Sequence, residues 1–305
     1  MQYTPAMQQK FDERNRRIVI NINGQLLPRD QAGVSPFDSS VQGGDAVWEG
    51  LRVYGGRIFK LTEHLDRLRS SAKALAFRKI PAHDAITAEI RKTLRANDMT
   101  DGVHIRLTLT RGVKVTSGMD PRLNQSGPTL IVLAEFKPPV YDKSGLSLIT
   151  SSIRRFPPDC MDPKIHHCNL IQSILAKIEA TNAGADDAIM LDRNGFVAET
   201  NATHVFIGTR GMLDTPTCNA CPEGITRAAV LDLCAGHGIP HRVRDISLPE
   251  VYRADEVFCT GTMGELAAVT KVDGRVIGDG KPGPMTARLS RLFRELTEAE
   301  GTPIA

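Results

Sequence analysis

The chain of 305 residues is predicted to be an α+β protein of two domains. Residues 17–136 combine strand signals with two amphipathic helices, an order that favours α+β architecture. Segment 138–145 carries consecutive prolines and a glycine, which exclude regular structure. The sequence after it resumes with a strand, a helix and a hairpin. We therefore predict a small domain at 1–137, a linker at 138–145 and a larger domain at 146–305.

The predicted first domain begins after a loose polar arm at residues 1–15. A hairpin follows, with Asn23-Gly24 as its favoured two-residue turn, and residues 46–60 give a second hairpin. A helix capped by Thr62 carries its leucines on one face and leaves Arg67 beside that face. The remaining predicted elements of this domain are a helix at about 83–97 and strands at 103–110 and 129–136.

The predicted second domain is organised around a lysine, a helix and a hairpin. A strand at 146–153 leads into a proline-rich loop that ends at Lys164. An amphipathic helix at 170–181 follows, and an apolar strand then turns at Asn194-Gly195 into a second strand that ends with Glu199. Later predicted elements are a strand at 203–208, a helix that opens at 223–226, a strand at 257–262 and a last helix at 283–296.

The composition is that of an ordinary globular protein. Apolar residues make up 41% and charged residues 24%, and the net charge of +3 is too small to indicate binding to nucleic acid or to an anionic membrane. The polar start has no apolar core of a signal peptide, and no apolar run approaches the roughly 20 residues of a membrane span. We expect a cytoplasmic protein whose partners are small molecules.

Six cysteines in a chain without a secretion signal favour reduced thiols. Cys218, Cys221, Cys234 and His237 nevertheless follow a C-x2-C-x12-C-x2-H pattern, close to that of a structural zinc site. A non-catalytic zinc-binding protein is thus one alternative. Against it, Cys234 lies on the apolar face of a predicted helix, where a thiol packs as a small hydrophobe, so we expect no bound metal.

Lys164 and Glu199 are the candidates for covalent chemistry. Asn169 and Gln172 are spaced as a capping box, which places Lys164 just ahead of a rigid helix, where burial would favour a neutral, nucleophilic amine. Pyridoxal phosphate needs such an amine for its aldehyde and an acidic partner for its ring nitrogen. Lys177 falls in mid-helix and is a weaker candidate.

The phosphate of such a cofactor requires backbone amides, hydroxyls and a cation. Gly224-Ile225-Thr226 opens a predicted helix, whose amino-terminal amides attract anions. Gly261-Thr262 forms a second small-residue turn. Arg67 offers a planar cation for bidentate phosphate pairing. We predict that these residues bind the cofactor together with Lys164 and Glu199.

Five segments resemble motifs of the class IV pyridoxal-phosphate aminotransferases, the fold-type IV group that includes branched-chain and D-amino-acid aminotransferases and aminodeoxychorismate lyase. The resemblance covers nearly the whole chain. The segments and their family counterparts are Ala46-Val47-Trp48-Glu49-Gly50-Leu51-Arg52 for VFEGIR, Glu63-His64-Leu65-Asp66-Arg67-Leu68 for E-H-x-x-R-L, Gly195-Phe196-Val197-Ala198-Glu199 for G-x-V-x-E, Gly224-Ile225-Thr226-Arg227 for GITR, and Ala254-Asp255-Glu256-Val257-Phe258 with Thr260-Gly261-Thr262 and Glu265 for ADEVF-x-x-GT-x-x-E.

The resemblance implies a smaller α/β domain and a larger pseudo-barrel domain that binds pyridoxal 5'-phosphate, with an active site completed by a second subunit. Lys164 would hold the cofactor covalently and move the substrate proton, and Glu199 would pair with the ring nitrogen. The implied phosphate ligands are Arg67, Ile225, Thr226 and Thr262. Arg106 would lie near the substrate carboxylate, and Trp48 would line the side-chain pocket.

The segment after Lys164 departs from the family. The branched-chain pattern K-x-G-G-N-Y becomes Lys164-Ile165-His166-His167-Cys168-Asn169-Leu170, with one extra residue and no tyrosine. Shorter family members read K-S-L-N, and matching their asparagine to Asn169 puts His166 at the position of the lysine. Both alignments remain open.

The activity implied by the resemblance is transfer of the amino group of an aliphatic, branched-chain L-amino acid to 2-oxoglutarate by a ping-pong mechanism. On the same fold, the alternatives are a D-amino-acid or (R)-amine aminotransferase and an aminodeoxychorismate lyase. The implied partners are an amino acid, a 2-oxo acid and a second copy of the chain in a homodimer.

Overall fold

The protein is described from a computed structural model that covers residues 9–304; part of the predicted arm, residues 1–8, lies outside the described residues. In chain order the strands are β1 (Val19–Ile22), β2 (Gln25–Pro28), β3 (Ala46–Tyr54), β4 (Arg57–Ile58), β5 (Val103–Thr110), β6 (Thr129–Phe136), β7 (Leu146–Thr150), β8 (Asp187–Leu191), β9 (Val197–Thr200), β10 (His204–Thr209), β11 (Met212–Thr215), β12 (His241–Val243), β13 (Glu256–Gly261), β14 (Glu265–Val272), β15 (Arg275–Val276) and β16 (Thr302–Pro303).

The helices lie between runs of consecutive strands, an arrangement that fits the predicted α+β class. They are α1 (Ser39–Gly43), α2 (Leu61–Ala74), α3 (His83–Ala96), α4 (Pro158–Met161), α5 (Ile171–Asn182), α6 (Ile225–Gly236), α7 (Leu248–Tyr252) and α8 (Pro284–Ala299). Short 3-10 helices lie at Glu13–Arg17 and Pro121–Leu123. Within the described residues, the helices are too short or too polar to cross a membrane.

The chain divides into two compact units. Of the described residues, the first unit takes those up to Val140, Ile165–Cys168 and those from Glu298 onward. Its antiparallel sheet has the order β16-β4-β3-β5-β6-β1-β2. The apolar face of α2 is formed by Leu61, Leu65, Leu68 and Ala72, which are buried in the core of this unit. Burial of this stripe is what holds the predicted amphipathic helix in place.

The second unit comprises Tyr141–Lys164 and Asn169–Thr297. Its mixed sheet has the order β12-β11-β10-β13-β14-β7-β8-β9, with β15 on β14. The sheet curls, because the edge strand β9 is joined to β10 by only residues 201–203, with Thr200 N–H bonded to the Thr203 carbonyl. The Phe206 and Phe258 rings stack at 5.0 Å in the core of this sheet.

Several local predictions are confirmed, and others are wrong. The Asn23-Gly24 and Asn194-Gly195 hairpins form, and Cys234 is buried on α6. The arm prediction fails at residues 13–15, because Asp12 caps a 3-10 helix that begins at Glu13 and the Asn15 side chain bonds to the backbone of β6. Thr62 does not cap α2, which starts from Lys60 at a positive φ of 49°.

The predicted capping box at the start of α5 is also wrong. The helix begins at Ile171 after Leu170, which offers no capping side chain. Gln172 instead donates its side-chain amide to the Arg154 carbonyl. The tertiary contact with the preceding loop therefore replaces the local cap that the spacing indicated.

Candidate active site

Glu49 is the centre of a buried polar cluster in the first unit. Strand β3 places its side chain inward with 0% exposure. Arg67 on α2 donates from Nε to Oε1 at 2.8 Å and from Nη2 to Oε2 at 2.7 Å. His64, one turn earlier on α2, donates from Nδ1 to Oε2 at 2.6 Å. Arg67, predicted as a phosphate ligand, is thus also a fixed partner of a buried carboxylate.

The charge state of Glu49 follows from these contacts. Burial opposes ionisation, but the positive potential of His166 and the hydrogen bonds from Arg67, His166 and His64 together hold the pKa of Glu49 well below its ordinary value. Burial also lowers the pKa of His166, against the pull of Glu49. We assign the carboxylate form to Glu49, because Arg67 alone provides a permanent cation and two charge-assisted hydrogen bonds.

His166 belongs to this same cluster. Its Nδ1 lies 2.6 Å from the Trp48 carbonyl, which can only accept, so Nδ1 carries the proton. The imidazole stacks on the Trp48 ring at 4.3 Å. The predicted substrate residues Trp48 and Arg106 also meet, since the Arg106 guanidinium lies 3.5 Å from the Trp48 ring centroid. Burial lowers the pKa of Arg106, an effect that the neighbouring Cys168 thiol opposes.

Glu199 is the buried carboxylate of the second unit. It lies on β9, opposite Met190 of β8, and is 4% exposed. Arg155 Nη2 lies 2.9 Å from Oε1 of Glu199, and the same guanidinium donates to the Ser173 hydroxyl and the Thr200 carbonyl. The side chain of Glu199 is thus buried rather than exposed at the edge of the sheet, and its role with a cofactor stays a prediction. Arg155 was missed by sequence reasoning, although it stands in a visible Arg154-Arg155 pair.

The start of α6 is an anion-binding candidate within the second unit. Gly224 precedes the helix without a capping side chain in the described part of the chain, and the first amides of a helix have no intrahelical acceptor. A Cβ on Gly224 would lie 2.2 Å from Nε2 of His204, so the glycine is needed where it packs on this ring. Thr226 is buried in the first turn.

A second turn of small residues ends β13. The Thr260 hydroxyl is fully buried and has no hydrogen-bond partner among residues 9–304. Gly261 follows it, and a Cβ there would lie 3.0 Å from the Thr203 side chain. Leaving a buried hydroxyl without a partner costs free energy, so this hydroxyl is available to hydrogen-bond a bound group. His204 and Thr260 were not predicted as site residues, although Thr260 directly precedes the predicted Gly261-Thr262 turn.

Lys164 lies in the second unit, 3.7 Å from Asp162, with 38% of its side chain exposed. The burial expected for a nucleophilic amine is therefore not observed. Its surroundings nevertheless include the loop before α6, because the charge of Lys164 lowers the pKa of Cys218 in that loop while the charge of Glu199 raises that of Cys221. This loop is therefore within electrostatic range of both predicted residues. Lys177, the weaker candidate, pairs with Asp187 at 2.9 Å.

The zinc pattern does not assemble. Among residues 9–304, no group of three or more His, Cys, Asp or Glu side chains is placed to hold a metal ion. Cys218 and Cys221 interact with each other, whereas Cys234 is buried on the inner face of α6 and His237 follows the end of that helix.

Residues 46–272 match the family model for the amino-transferase class IV proteins. The chain belongs to the class IV amino-transferases. A class IV relative, branched-chain-amino-acid aminotransferase-like protein 2 from Arabidopsis thaliana, is 55% identical over 95% of the chain. The chain spans about half the length of that relative, 52%. The branched-chain-amino-acid aminotransferase of Pseudomonas aeruginosa is 33% identical, with 92% of the chain and 94% of the relative covered.

The class IV fold is also found among solved structures. The branched-chain amino acid aminotransferase from Thermobaculum terrenum, solved in its PLP form, superposes with a TM-score of 0.85 at 27% identity, over 95% of this chain and 99% of that one. The family and the fold class predicted from sequence motifs are thereby confirmed.

Proposed function

We propose that the chain is a pyridoxal-phosphate-dependent aminotransferase that transfers the amino group of an aliphatic, branched-chain L-amino acid to 2-oxoglutarate. The observation that carries this proposal is the buried Glu199–Arg155 pair in the same unit as the uncapped start of α6. The names of the Pseudomonas aeruginosa and Thermobaculum terrenum relatives support the choice of branched-chain substrates.

The residues of the second unit fit the parts of such a cofactor. The amides at the start of α6 and the Thr226 side chain suit a phosphate dianion. The unpartnered Thr260 hydroxyl and the adjacent Gly261-Thr262 turn offer a further polar contact. Glu199, buried and held by Arg155, suits a protonated ring nitrogen. Arg67, Trp48 and Arg106 belong to the first unit, and their roles with phosphate and substrate stay predictions.

Pyridoxal phosphate, when bound, supplies an aldehyde carbon and an electron-withdrawing ring for chemistry at the substrate's α carbon. Glu199, as a carboxylate that Arg155 keeps in place, would hold the proton on the ring nitrogen. Lys164 would be the amine that accepts the proton from the substrate's α carbon and delivers it to the C4′ carbon of the cofactor. We also propose a cytoplasmic homodimer, on the basis of the family resemblance.

The first test is turnover with candidate amino donors. We expect purified protein with pyridoxal phosphate to convert L-leucine, L-isoleucine or L-valine with 2-oxoglutarate into the 2-oxo acid and glutamate. D-alanine and an (R)-amine serve as comparison donors. Lack of turnover with all three L-amino acids would disprove the branched-chain assignment, and turnover of the comparison donors alone would move the chain to another class IV activity.

Borohydride reduction followed by peptide mass spectrometry identifies the amine. We expect a pyridoxyl adduct on the peptide of Lys164, its loss in Lys164→Ala, and its retention in the matched control Lys281→Ala, which changes an exposed lysine. An adduct on another lysine would show that Lys164 is the wrong residue. Cofactor binding without any adduct, together with an adduct created by His166→Lys, would support the alignment that puts His166 at the lysine position.

A further inference from the structure

The loop before α6 contains a pair of thiols that the proposed function does not use. Cys218 and Cys221 lie in a turn of the second unit, three residues apart. The side chains of the two residues are hydrogen-bonded to each other, so their sulfur atoms are direct neighbours, as formation of a disulfide requires. Cys218 is half-buried and reachable, whereas Cys221 is buried.

The two thiols differ in pKa, and this difference determines which of them reacts first. The hydrogen bond from Cys221, helped by the positive charges of Arg227 and Lys164, lowers the pKa of Cys218 to about 7, against burial and the charge of Glu223. The same hydrogen bond, with burial and the charge of Glu199, raises the pKa of Cys221 well above its ordinary value. A thiolate is the nucleophile in thiol–disulfide exchange, so Cys218 is the attacking thiol.

The second thiol also touches the anion-binding candidate. Cys221 Sγ lies 3.9 Å from Nδ1 of His204. On its other side, the His204 ring occupies the space where a Cβ of Gly224 would lie, directly before α6. A movement of Cys221 Sγ toward Cys218 therefore removes a contact that supports the ring under the start of the helix.

We propose that Cys218 and Cys221 form a reversible disulfide that weakens anion binding at the start of α6. Formation of the disulfide concerns the thiols alone, whereas its effect on anion binding rests on the proposed function of the start of α6. A low-molecular-weight disulfide, oxidised glutathione, is the oxidant.

The exchange is balanced as follows. The Cys218 thiolate attacks one sulfur of oxidised glutathione, the sulfur–sulfur bond of glutathione breaks, and one glutathione thiolate leaves and takes up a proton. Cys221 then loses its proton, for which His204 Nδ1 is a nearby acceptor in the tautomer with that nitrogen free, and attacks Cys218 Sγ. The second glutathione leaves as a thiol. Two protein thiols are oxidised and one glutathione disulfide is reduced.

The test of disulfide formation uses the full chain with no amino acid or cofactor present, so it is independent of transaminase activity. The protein is equilibrated with oxidised glutathione and its peptides are analysed by mass spectrometry. We expect an intramolecular Cys218–Cys221 disulfide that dithiothreitol reverses. Cys221→Ser is expected to accumulate a glutathione adduct on Cys218, and Cys218→Ser is expected to leave Cys221 unmodified.

Cys160 is the control, because it is exposed and lies in α4. Cys160→Ser is expected to keep the disulfide. Modification of Cys160 alone, with the Cys218 and Cys221 peptides reduced, would overturn the proposal, since exposure rather than the thiol pair would then decide reactivity.

The effect of the disulfide on anion binding is tested by measuring the affinity for inorganic phosphate and for pyridoxal phosphate before and after oxidation. We expect a several-fold loss of affinity in the oxidised wild type and none in oxidised Cys218→Ser. Equal affinity in both states of the wild type, with the disulfide shown to be present, would overturn the coupling. Failure of the reduced protein to bind either anion would instead disprove the proposed function.

Discussion

Arg155 Nη2 lies 2.9 Å from Oε1 of Glu199, and both side chains are nearly excluded from solvent, with 10% and 5% of their area exposed. The guanidinium is itself held by the Ser173 hydroxyl and the Thr200 carbonyl. Because Thr200 follows Glu199 on β9, Arg155 fixes both the charge and the backbone of this strand end. A carboxylate so held is ready to pair with a cationic ring nitrogen without first being desolvated.

Replacement of Arg155 tests this relationship. We expect Arg155→Met to weaken pyridoxal phosphate binding by about tenfold or more, equivalent to about 1.4 kcal/mol, because the Glu199 carboxylate and the Thr200 carbonyl would lose the guanidinium that positions them. Spectroscopic titration of the cofactor measures the affinity. Arg193→Met is the matched control, since Arg193 forms an exposed pair with Asp159 at the same 2.9 Å distance. Equal losses in both variants would argue against a specific role of Arg155.

Removal of the Glu49 charge is expected to destabilise the first unit. Glu49→Gln leaves Arg67 without its carboxylate, and breaking a buried ion pair costs about 3–5 kcal/mol. Urea titration at neutral pH measures this loss, with Glu63→Gln as control, because Glu63 pairs with Lys60 on the surface. The folded pKa of Glu49 is lowered from 4.5, so its contribution is present above pH 4.5 and is lost as the pH falls through the folded pKa. If the difference in free energy of unfolding between the variant and the wild type does not shrink in acid, Glu49 is not the carboxylate that we assign.

These two ion pairs show what the sequence could predict. The helix α5 and the hairpin of β8 and β9 follow from local periodicity and from Asn194-Gly195, so their existence was predictable. The motif residues Glu199 and Gly224 were predictable because the family resemblance is local in sequence. Arg155 was not, since its partner on β9 is fixed by sheet pairing between β7, β8 and β9, which no local pattern encodes.

The segment after Lys164 illustrates the same limit. Its spacing left open whether Lys164 or His166 holds the lysine position. In the folded chain His166 donates to the Trp48 carbonyl, and His167 forms a bridge with Val47, so this segment is an extension of the first unit's sheet. Such strand addition across a long sequence separation has no signature in a proline-rich loop. The predicted cap by Asn169 fails because α5 begins only at Ile171, and Gln172 bonds to the Arg154 carbonyl instead.

His104 predicts a pH dependence of stability. Burial, with the charges of Lys137, Arg52, Arg106 and His64, lowers the pKa of His104 from 6.5 to about 3, and its Nε2 lacks a hydrogen-bond partner within the described chain. A lowered histidine pKa means that the unfolded state binds the proton first, so stability falls as the pH drops from 6.5 toward 3. At pH 5 this amounts to about 2 kcal/mol, from about 1.36 kcal/mol per pH unit.

The variant His104→Gln removes this titration. As the pH is lowered from about 7 to about 5, we expect the free energy of unfolding of the variant to rise relative to that of the wild type. Urea titration at each pH measures this difference. His237→Gln, which changes an exposed histidine, should leave the pH profile of the wild type unaltered. A parallel fall of stability in His104→Gln and wild type would show that His104 is not the group responsible.

The contact between Gly224 and His204 can be tested by substitution, because it shows whether packing or backbone conformation requires glycine at position 224. Gly224 has a φ of −68°, which any residue adopts, so the effect of Gly224→Ala comes from the Cβ that would lie 2.2 Å from His204 Nε2 and from the poorer cap that alanine makes. We expect Gly224→Ala to weaken inorganic phosphate and pyridoxal phosphate binding by about tenfold, or about 1.4 kcal/mol.

His204→Ala in the same chain should restore part of this loss by making room for the methyl group. Gly236→Ala, where no atom of the described chain lies within 4 Å of the added Cβ, is the control and should leave binding unaffected. If the double variant binds as weakly as Gly224→Ala alone, the lost cap rather than the His204 contact explains why glycine is needed before α6.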